Sequence, residues 1–454
     1  MAAKVEVDVK TISTEIIKPS SPTPCHLKSF TLSLVDQIHP PYYSIMLLFY
    51  PKLIDSPPGV PDIDLLKSSL SETLSKFYPF AGRFKDIFTV SCNDQGIPFI
   101  ETRVECVLSD FLTSSNKVDH LHKLMPPKEY TAEKALPELV PLAIQVNVFS
   151  CGGVVIGCYK LHKLLLDGTS LVVFLKHWAA VAKTRGCNSG TIVTVEPDFD
   201  AVFSAFPPRP TLGWMPFNAN SYEHQTLVEQ YEGINVVAKS FVFTKQAITE
   251  LRTSAASVEV PKPTRVEALA GFVWEHCMAA GSAAGAMPLG PDPSVMSFLI
   301  NMRPRLQPPL PSVSMGNLIT LTSARANETM GLPDLVKSIH GAVLNINDRI
   351  DSYQGGQNVE ALAADLASPI AWYKPGIYGL SSWCQFGLDE VDFGFGKPKW
   401  ASPTDGIHYP LSRNFIYLVN DTKGDGIEAW LFLEEMEMKI LESNKNFLSY
   451  AYPN

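Results

Sequence analysis

The stretch CYKLHKLLLDGTSLVVFLKHW, residues 158–178, decides the fold because it carries the chain out of a strand and into a helix. The residues just before it, at 154–157, alternate between two faces as strand residues do. After the turn, polar N-cap candidates precede a run of apolar side chains, which predicts a helix. The stretch therefore predicts a strand, a turn and a helix, with His162 near the strand end and Asp167 near the helix start.

His162 and Asp167 flank this turn, and strand-to-helix turns often hold catalytic groups. The pKa of a histidine lies near neutral pH, so His162 can act as a general base for a hydroxyl or amine that attacks an acyl carbonyl. The same residues also fit a structural interpretation, in which His162 packs against the backbone and Asp167 caps the helix. A single His–Asp pair leaves both interpretations open.

The composition excludes several classes of function. A chain of 454 residues suggests two or three domains, and 46% hydrophobic with 18% charged residues is typical of a globular protein. A net charge of −9 without a Lys/Arg block argues against a nucleic-acid partner. We find no signal-peptide core and no run of 18 apolar residues, so we expect no membrane span. Eight scattered cysteines and histidines without metal spacing predict reduced thiols, a cytoplasmic location and no metal.

Two regions of mixed strand and helix pattern, 1–185 and 233–454, flank a segment at 186–232 that is rich in proline, aromatic and turn residues. We interpret this segment as a long crossover between two lobes. Hairpins are predicted around NDQG (93–96), Gly152–Gly153 and DTKGDG (421–426). These patterns predict an α/β fold with two lobes, each a mixed sheet with helices.

A second motif, DEVDFGFGKPKW at 389–400, places Gly394 and Gly396 between aromatic residues. Glycine permits unusual φ angles and close backbone approach, although an ordinary bulge or tight turn would also explain the pattern. Together with the His162–Asp167 turn, this motif gives the chain a family resemblance.

The chain resembles a plant BAHD acyltransferase nearly from end to end, and it is most similar to the branch that acetylates alkaloid and terpenoid alcohols. The stretches that carry the resemblance follow the order of the family: IKPSSPTP (17–24), LSLVDQ (32–37), FYPFAGR (77–83), CNDQGIPF (92–99), CGGVVIG (151–157), HKLLLDGTS (162–170), PDFDAVFSAFPP (197–208), KSFVFTK (239–245), TRVEALAGFVW (264–274), NMRPRLQPPLP (301–311), MGNL (315–318), SSWCQFGLDEVDFGFGKP (381–398) and NDTKGDGIEAWLFLEEMEM (420–438).

The resemblance implies two chloramphenicol-acetyltransferase-like lobes, joined by a crossover loop, with an active-site channel between them. It implies that His162 is the general base and that Asp167 supports the site by pairing with an arginine, for which Arg303 is the first candidate and Arg305 the second. The family's Asp-Phe-Gly-Trp-Gly motif is structural and lies away from the catalytic histidine. Its positions here are Asp392, Phe393, Gly394, Phe395 and Gly396.

Three features depart from the family pattern. Four residues separate His162 from Asp167 where the family has three, Leu161 replaces a small polar residue, and Phe395 replaces the tryptophan of the motif. The extra residue falls among Leu164, Leu165 and Leu166. We interpret it as a bulge in the turn, because the strand before it and the DGTS sequence after it both look intact.

The sequence thus predicts an acyl-CoA-dependent O-acyltransferase, with acetyl-CoA as co-substrate, a small-molecule alcohol as acceptor, no tightly bound cofactor and a monomeric state. Candidates for the CoA phosphates lie in PKPTR (261–265), namely Lys262, Thr264 and Arg265, although a solvated basic loop explains them equally well. The altered turn keeps two alternatives open: an isomerase or cyclase on the same fold, and a non-catalytic binding relative.

Overall fold

The computed structural model describes residues 4–39, 43–52, 62–86, 88–127, 130, 136–161, 165–187, 195–209, 234–285, 293–327, 329–358, 361–363, 375–403, 413–422 and 424–454. His162 and Leu164 of the predicted turn lie outside the described residues, as does most of the predicted crossover.

Strands and helices are mixed along the described chain, as the sequence pattern predicts for an α/β fold. The strands are β1 (Val9–Ile17), β2 (Ser29–Thr31), β3 (Tyr43–Tyr50), β4 (Arg83–Asp86), β5 (Thr89–Ser91), β6 (Ile97–Val104), β7 (Leu142–Phe149), β8 (Val154–Leu161), β9 (Val236–Phe243), β10 (Ser294–Asn301), β11 (Ile319–Ala326), β12 (Ile377–Ser382), β13 (Trp400–Pro403), β14 (Phe415–Asn420), β15 (Ile427–Glu434) and β16 (Ala451–Pro453). The helices are α1 (Leu34–Gln37), α2 (Ile63–Lys76), α3 (Leu108–Thr113), α4 (Lys117–His120), α5 (Gly168–Cys187), α6 (Asp200–Ala205), α7 (Lys245–Ser254), α8 (Arg265–Ala283), α9 (Leu332–Tyr353), α10 (Glu435–Ser443) and α11 (Lys445–Tyr450).

The chain divides into two compact units, and each draws on more than one part of the sequence. Unit 1 consists of Met1–Met215, Pro309–Leu318 and Phe386–Thr404. Unit 2 consists of Pro216–Pro308, Ile319–Gln385 and Asp405–Asn454.

Unit 1 is built on a six-stranded mixed sheet with the order β1-β6-β7-β8-β3-β13. Only β6 and β7 run parallel in it; the other neighbours are antiparallel. The predicted hairpin at Gly152–Gly153 joins β7 to β8, and Gly152 has the positive φ of 86° that such a turn requires. A smaller sheet of unit 1 has the order β2-β5-β4.

The hairpin predicted around NDQG is wrong. Its two strands, β5 and β6, enter different sheets, since β5 pairs with β2 and β4 whereas β6 pairs with β1 and β7. The NDQG residues nevertheless hold another part of the chain in place. Asp94, at φ 59°, accepts hydrogen bonds from the backbone N–H and the hydroxyl of Thr23.

Unit 2 is built on a seven-stranded mixed sheet with the order β11-β10-β12-β14-β15-β9-β16. The predicted hairpin around DTKGDG joins β14 to β15, and β10, β12 and β14 are parallel neighbours. Helix α8 is apolar over most of its surface and most of its residues are buried. Its N-cap Thr264 forms a capping box with Glu267, which sets the point where the helix begins.

The DFGFG motif lies in unit 1, although the sequence places it in a lobe formed by residues 233–454. The physical reason is strand pairing. β13 follows the motif and pairs with β3, which is among the first strands of the chain. The segment Pro309–Leu318 also returns to unit 1, where Asp198 and Ser314 form a parallel bridge and Met315 N–H donates to Asp198 O at 2.7 Å.

Helix α5, which follows the predicted catalytic turn, is fixed by aromatic packing. The buried Trp178 donates from Nε1 to Leu66 O and Ser69 Oγ of α2, both at 3.1 Å. On another side its indole meets the Phe393 ring edge-on, with 4.7 Å between centroids. Loss of such a buried aromatic side chain costs roughly 3–5 kcal/mol of stability, so α5 is a firmly held platform. Among the described helices, none has the length and apolar composition that a bilayer span requires.

Candidate active site

Asp167 caps helix α5 and is fully buried. Its Oδ1 accepts from Ser170 N–H at 2.8 Å, three residues into the helix, and its backbone carbonyl accepts from Leu171 N–H at 3.1 Å. Gly168 comes next, where an added Cβ would lie 2.6 Å from the ring of Phe386, so only glycine fits without a shift. The DGTS sequence therefore sets both the helix start and its close packing.

The second oxygen of Asp167 reaches a later part of the chain. Oδ2 accepts from Leu318 N–H at 3.2 Å. Ser170 contacts the same segment, because its hydroxyl donates to Gly316 O at 3.2 Å and accepts from Gly316 N–H at 3.1 Å. The start of α5 is thus tied to the MGNL stretch at 315–318.

A second buried carboxylate, that of Asp36 in α1, also accepts hydrogen bonds from the MGNL stretch. Its Oδ1 accepts from the backbone N–H of Asn317 at 2.8 Å and from Asn317 Nδ2 at 2.9 Å. Its Oδ2 accepts from the backbone N–H and the hydroxyl of Ser33, the N-cap of α1. Burial raises the pKa of Asp36 from 3.8 to about 6, although these hydrogen bonds favour the ionised form and oppose the rise.

Arg303, the predicted partner of Asp167, opens a short 3-10 turn in unit 2 and is buried. Its backbone N–H and its Nη1 donate to Asn301 Oδ1 at 3.0 and 3.3 Å. Arg305 closes the turn and donates from Nη1 to Asn301 O at 3.2 Å. The pairing of Asp167 with Arg303 stays a prediction.

The DFGFG motif folds back on its own aspartate, Asp392, in an arrangement that we call the DFGFG clasp. Asp392 Oδ1 accepts from the N–H groups of Gly394 and Gly396 at 2.9 and 3.0 Å, and Oδ2 accepts from Lys183 Nζ at 2.6 Å. Burial acts to raise the pKa of Asp392, but Lys183 and the two N–H groups outweigh it and lower that pKa. Both glycines have positive φ, 100° and 104°, which disfavours any other residue there.

The aromatic residues of this motif pack within unit 1. Phe393 and Phe395 stack at 5.7 Å, and Tyr50 of β3 meets Phe395 edge-on at 5.1 Å. Tyr50 also donates its hydroxyl to Val391 O at 3.0 Å. Phe395, which replaces the tryptophan of the family motif, therefore keeps aromatic contacts with Phe393 and Tyr50.

The three candidates for CoA binding differ in their roles. Thr264 is the N-cap of α8, with its hydroxyl accepting from Glu267 N–H at 3.1 Å and its own N–H donating to Glu267 Oε2 at 2.7 Å. Arg265 donates from Nη2 to Asp425 O and Gly426 O at 2.9 and 3.1 Å, so it holds the β14–β15 turn. Lys262 is exposed. The buried Glu267 carboxylate already occupies this helix N-terminus, which leaves the two basic side chains as the features suited to a phosphate.

Two buried cysteines and the metal-binding residue types can be assessed in the described parts of the chain. Burial raises the pKa of the Cys158 and Cys92 thiols to about 12, which keeps both protonated at neutral pH. Within the described ranges, no group of three or more His, Cys, Asp or Glu side chains could hold a metal ion.

Sequence reasoning missed Asp36, Ser33 and Asn317. The Ser-x-x-Asp spacing at 33–36 signals a helix cap and nothing more. The stretches LSLVDQ and MGNL contribute to the family resemblance, but their spacing of some 280 residues gives no sign that Asp36 and Asn317 meet.

The structure is similar to solved structures over nearly its whole length. The crystal structure of vinorine synthase matches with a TM-score of 0.78 at 31% identity, covering 98% of both chains. F. sporotrichioides TRI101, complexed with Coenzyme A and T-2, matches with a TM-score of 0.68 at 16% identity, covering 94% of this chain and 99% of that one. These matches confirm the class that the sequence predicts, an α/β protein with two chloramphenicol-acetyltransferase-like lobes.

Curated relatives are similar over the same length. Akuammiline synthase 2 of Alstonia scholaris is 34% identical, covering 99% of this chain and 98% of the relative. Salutaridinol 7-O-acetyltransferase of Papaver somniferum is 32% identical, covering 96% and 97%. Limonoid 21-O-acetyltransferase of Melia azedarach is 34% identical, covering 99% of each. The model described as Transferase family matches residues 7–448. The chain therefore belongs to the Transferase family, the plant BAHD acyltransferases, and it is an acyltransferase.

Proposed function

We propose that this acyltransferase moves an acetyl group from acetyl-CoA to a hydroxyl group of a plant alkaloid or terpenoid. The observation that carries the proposal is similarity over nearly the full chain to relatives named as O-acetyltransferases of salutaridinol and of a limonoid. CoA as the carrier of the acyl group is supported by the fold, which TRI101 shares in a complex with Coenzyme A.

In the proposed reaction His162 is the general base. It removes the proton of the acceptor hydroxyl as the oxygen attacks the thioester carbonyl. The tetrahedral intermediate then collapses, the C–S bond breaks and CoA thiolate leaves. Acyl transfer of this kind needs no enzyme nucleophile, so we expect kinetics through a ternary complex rather than a ping-pong mechanism.

Asp167 supports the site without touching substrate. Its burial and its bonds to Ser170 and Leu318 fit a residue that holds the turn in place. We also propose, from the family resemblance, that Arg303 is its partner. A double-mutant cycle on Asp167 and Arg303 tests this, because loss of one member of a buried pair costs roughly 3–5 kcal/mol and the two losses should not add. Additive losses would contradict the pairing.

Lys262 and Arg265 are proposed to meet the CoA phosphates. Both carry positive charge at the start of α8 in unit 2, and Lys262 is exposed. Lys262→Ala should raise the KM for acetyl-CoA and leave kcat nearly unchanged. Lys445→Ala, which removes an exposed lysine on α11, is the matched control and should leave the KM unchanged.

The direct test of the proposed function is release of free thiol from acetyl-CoA in the presence of a panel of plant alkaloid and terpenoid alcohols, with product mass as the second readout. We expect an acetylated product for at least one alcohol. Turnover of an acceptor without thiol release would indicate an isomerase or cyclase instead. Binding of CoA without turnover of any acceptor would indicate a non-catalytic relative.

The predicted cytoplasmic location and monomeric state complete the proposal. The location is supported by the scattered cysteines, which predict reduced thiols, and the monomeric state stays a prediction. Imaging of a fluorescent fusion in plant cells tests the location, and light scattering of the purified protein tests the monomeric state.

A further inference from the structure

Three stretches that are not proposed to touch the reacting atoms come together in unit 1. They are LSLVDQ at 32–37, DGTS at 167–170 and MGNL at 315–318. The first belongs to the start of the chain, the second follows His162, and the third precedes β11. Their meeting suggests a function for residues that are far apart in sequence.

The meeting point is a row of three backbone N–H groups, and each donates to a side chain of unit 1. Gly316 N–H donates to Ser170 Oγ, Asn317 N–H to Asp36 Oδ1 and Leu318 N–H to Asp167 Oδ2, at 3.1, 2.8 and 3.2 Å. Leu318 N–H is shared with Gly316 O at 3.0 Å. The segment 316–318 is therefore clamped from two sides, by Asp36 of α1 and by the start of α5.

Asp36 forms the half of this clamp that lies on α1. It accepts two hydrogen bonds from Asn317 and two from Ser33, and it is 3% exposed. Water cannot replace these bonds when they are lost, because the site is buried. Gly316 lets the segment 316–318 lie close to Asp36, because it has a φ of 147° and no side chain. A Cβ added at Gly316 would be crowded, at 3.0 Å from Val202 Cγ1 and 3.5 Å from the Asp36 carboxylate.

Asp167 connects the clamp to the catalytic turn. One of its oxygens holds Ser170 inside α5, and the other holds Leu318. A shift of the segment 316–318 would break the hydrogen bond between Leu318 N–H and that second oxygen. Asp167 follows the predicted base His162 by five positions in the sequence, so this clamp is next to the predicted catalytic turn along the chain.

We propose that Asp36 is a positioning residue for acyl transfer, which holds residues 316–318 against Asp167 and Ser170 and thereby fixes the helix start that follows His162. The inference rests on the proposed function, since it takes His162 as the base. Asp36 itself does not touch the reacting atoms. It acts through Asn317 and Asp167.

The test compares Asp36→Ala with Asp36→Asn. The alanine variant removes all the acceptors, whereas the asparagine variant keeps a carbonyl oxygen for both donors of Asn317. Asp94→Ala is the matched control, because Asp94 accepts from the N–H and the hydroxyl of Thr23 just as Asp36 accepts from Ser33, but far along the chain from 316–318. Each variant is assayed for kcat and KM per folded molecule, and hydrogen exchange is followed at 165–171 and 313–318.

Asp36→Ala should exchange faster in both segments and should lose kcat by roughly 10- to 100-fold, in line with a catalytic group displaced by about 1 Å. KM for acetyl-CoA should change little. Asp36→Asn should recover most of kcat, and Asp94→Ala should keep the kcat of the wild type even if its melting temperature falls.

Several outcomes would overturn the proposal. A folded Asp36→Ala enzyme with the kcat of the wild type would leave Asp36 a purely structural role. An equal loss of kcat in Asp94→Ala would reduce the effect to general destabilisation. If Asp36→Ala does not fold, Asn317→Ala carries the same test, since it removes the Nδ2 donor and keeps the backbone one. A wild-type enzyme without acetyl transfer would refute the proposed function, whereas full activity in the variants would refute the positioning alone.

Discussion

The role of His162 as a general base is a prediction of its residue type and its place before Asp167. His162→Ala should lower kcat by roughly 10²- to 10⁴-fold, the range expected when a general base is lost. The fold should persist, since strand β8 and helix α5 are each paired or packed along their length. Steady-state kinetics with circular dichroism checks both points. His26→Ala, which removes an exposed histidine, is the control, and near-full turnover by His162→Ala would contradict the assignment.

The raised pKa of Asp36 leads to a second prediction for a single residue, which concerns how the stability of the protein depends on pH. Its folded pKa of about 6 lies above the ordinary 3.8, so between these values the native state binds more protons than the unfolded state. This contribution to stability is fully present below about 3.8 and is lost as the pH rises through about 6. A difference of about 2 pKa units corresponds to about 3 kcal/mol at most.

Asp36→Asn cannot ionise, so it removes this dependence. Between pH 5 and pH 8 the wild type should lose about 1–2 kcal/mol of unfolding free energy relative to Asp36→Asn. Urea unfolding of both proteins at the two pH values measures the difference. Parallel changes in the two proteins would show that Asp36 does not titrate in this range.

Residue types and local spacing predicted part of this site and no more. The position of Asp167 before Gly168 is enough to predict a helix cap, because N-cap hydrogen bonds reach only three residues along the chain. The contact of Asp36 with Asn317 joins residues from opposite parts of the sequence, and local spacing contains no information about it.

At the scale of elements, the turn from β8 to α5 is the feature that departs most from the family. Both ends of the turn are held independently of its length, β8 by β3 and β7, and Asp167 by Ser170 and Leu318. Leu165 and Leu166 are buried, so either is a poor choice for removal. Deletion of Leu164 restores the family spacing without removing these two buried side chains.

We expect the Leu164 deletion to fold and to keep acetyl transfer, with its rate changed modestly in either direction. The entropic cost of one residue in a loop is small, well under about 1 kcal/mol. Thiol release beside the wild type, with thermal melting to confirm folding, is the measurement. A folded deletion variant that gains acetyl transfer absent from the wild type would mean that the longer turn serves another reaction.

Element prediction succeeded where pairing is local. The hairpins β7–β8 and β14–β15 form as their turns indicate, because each strand pairs with the next one along the chain. The NDQG turn has the same kind of sequence but fails as a hairpin. β6 pairs with β1 and β7, so its register is decided by partners outside the turn.

At the scale of the whole molecule, the two units do not correspond to two halves of the sequence. Unit 1 includes Pro309–Leu318 and Phe386–Thr404 in addition to the first part of the chain. The first of these segments satisfies the buried carboxylates of Asp36 and Asp167, and the second supplies β13 and the DFGFG clasp. Composition along the chain cannot reveal such exchanges, because they depend on contacts between distant segments.

This organisation predicts that a fragment of residues 1–215 will not fold stably alone. It would leave Asp36 without both donors from Asn317 and Asp167 without the Leu318 N–H, and it would expose the edge of β3 that β13 covers. A buried acceptor without its donor costs roughly 1–3 kcal/mol, and a few such losses equal much of the stability of a typical domain. Co-expression with residues 216–454 should restore a folded complex, because that piece carries both missing segments. Near-UV circular dichroism and thermal melting of the fragment, with and without its complement, decide the matter. A cooperative melt of residues 1–215 alone, close to that of the full chain, would show that the first part of the sequence is an independent domain.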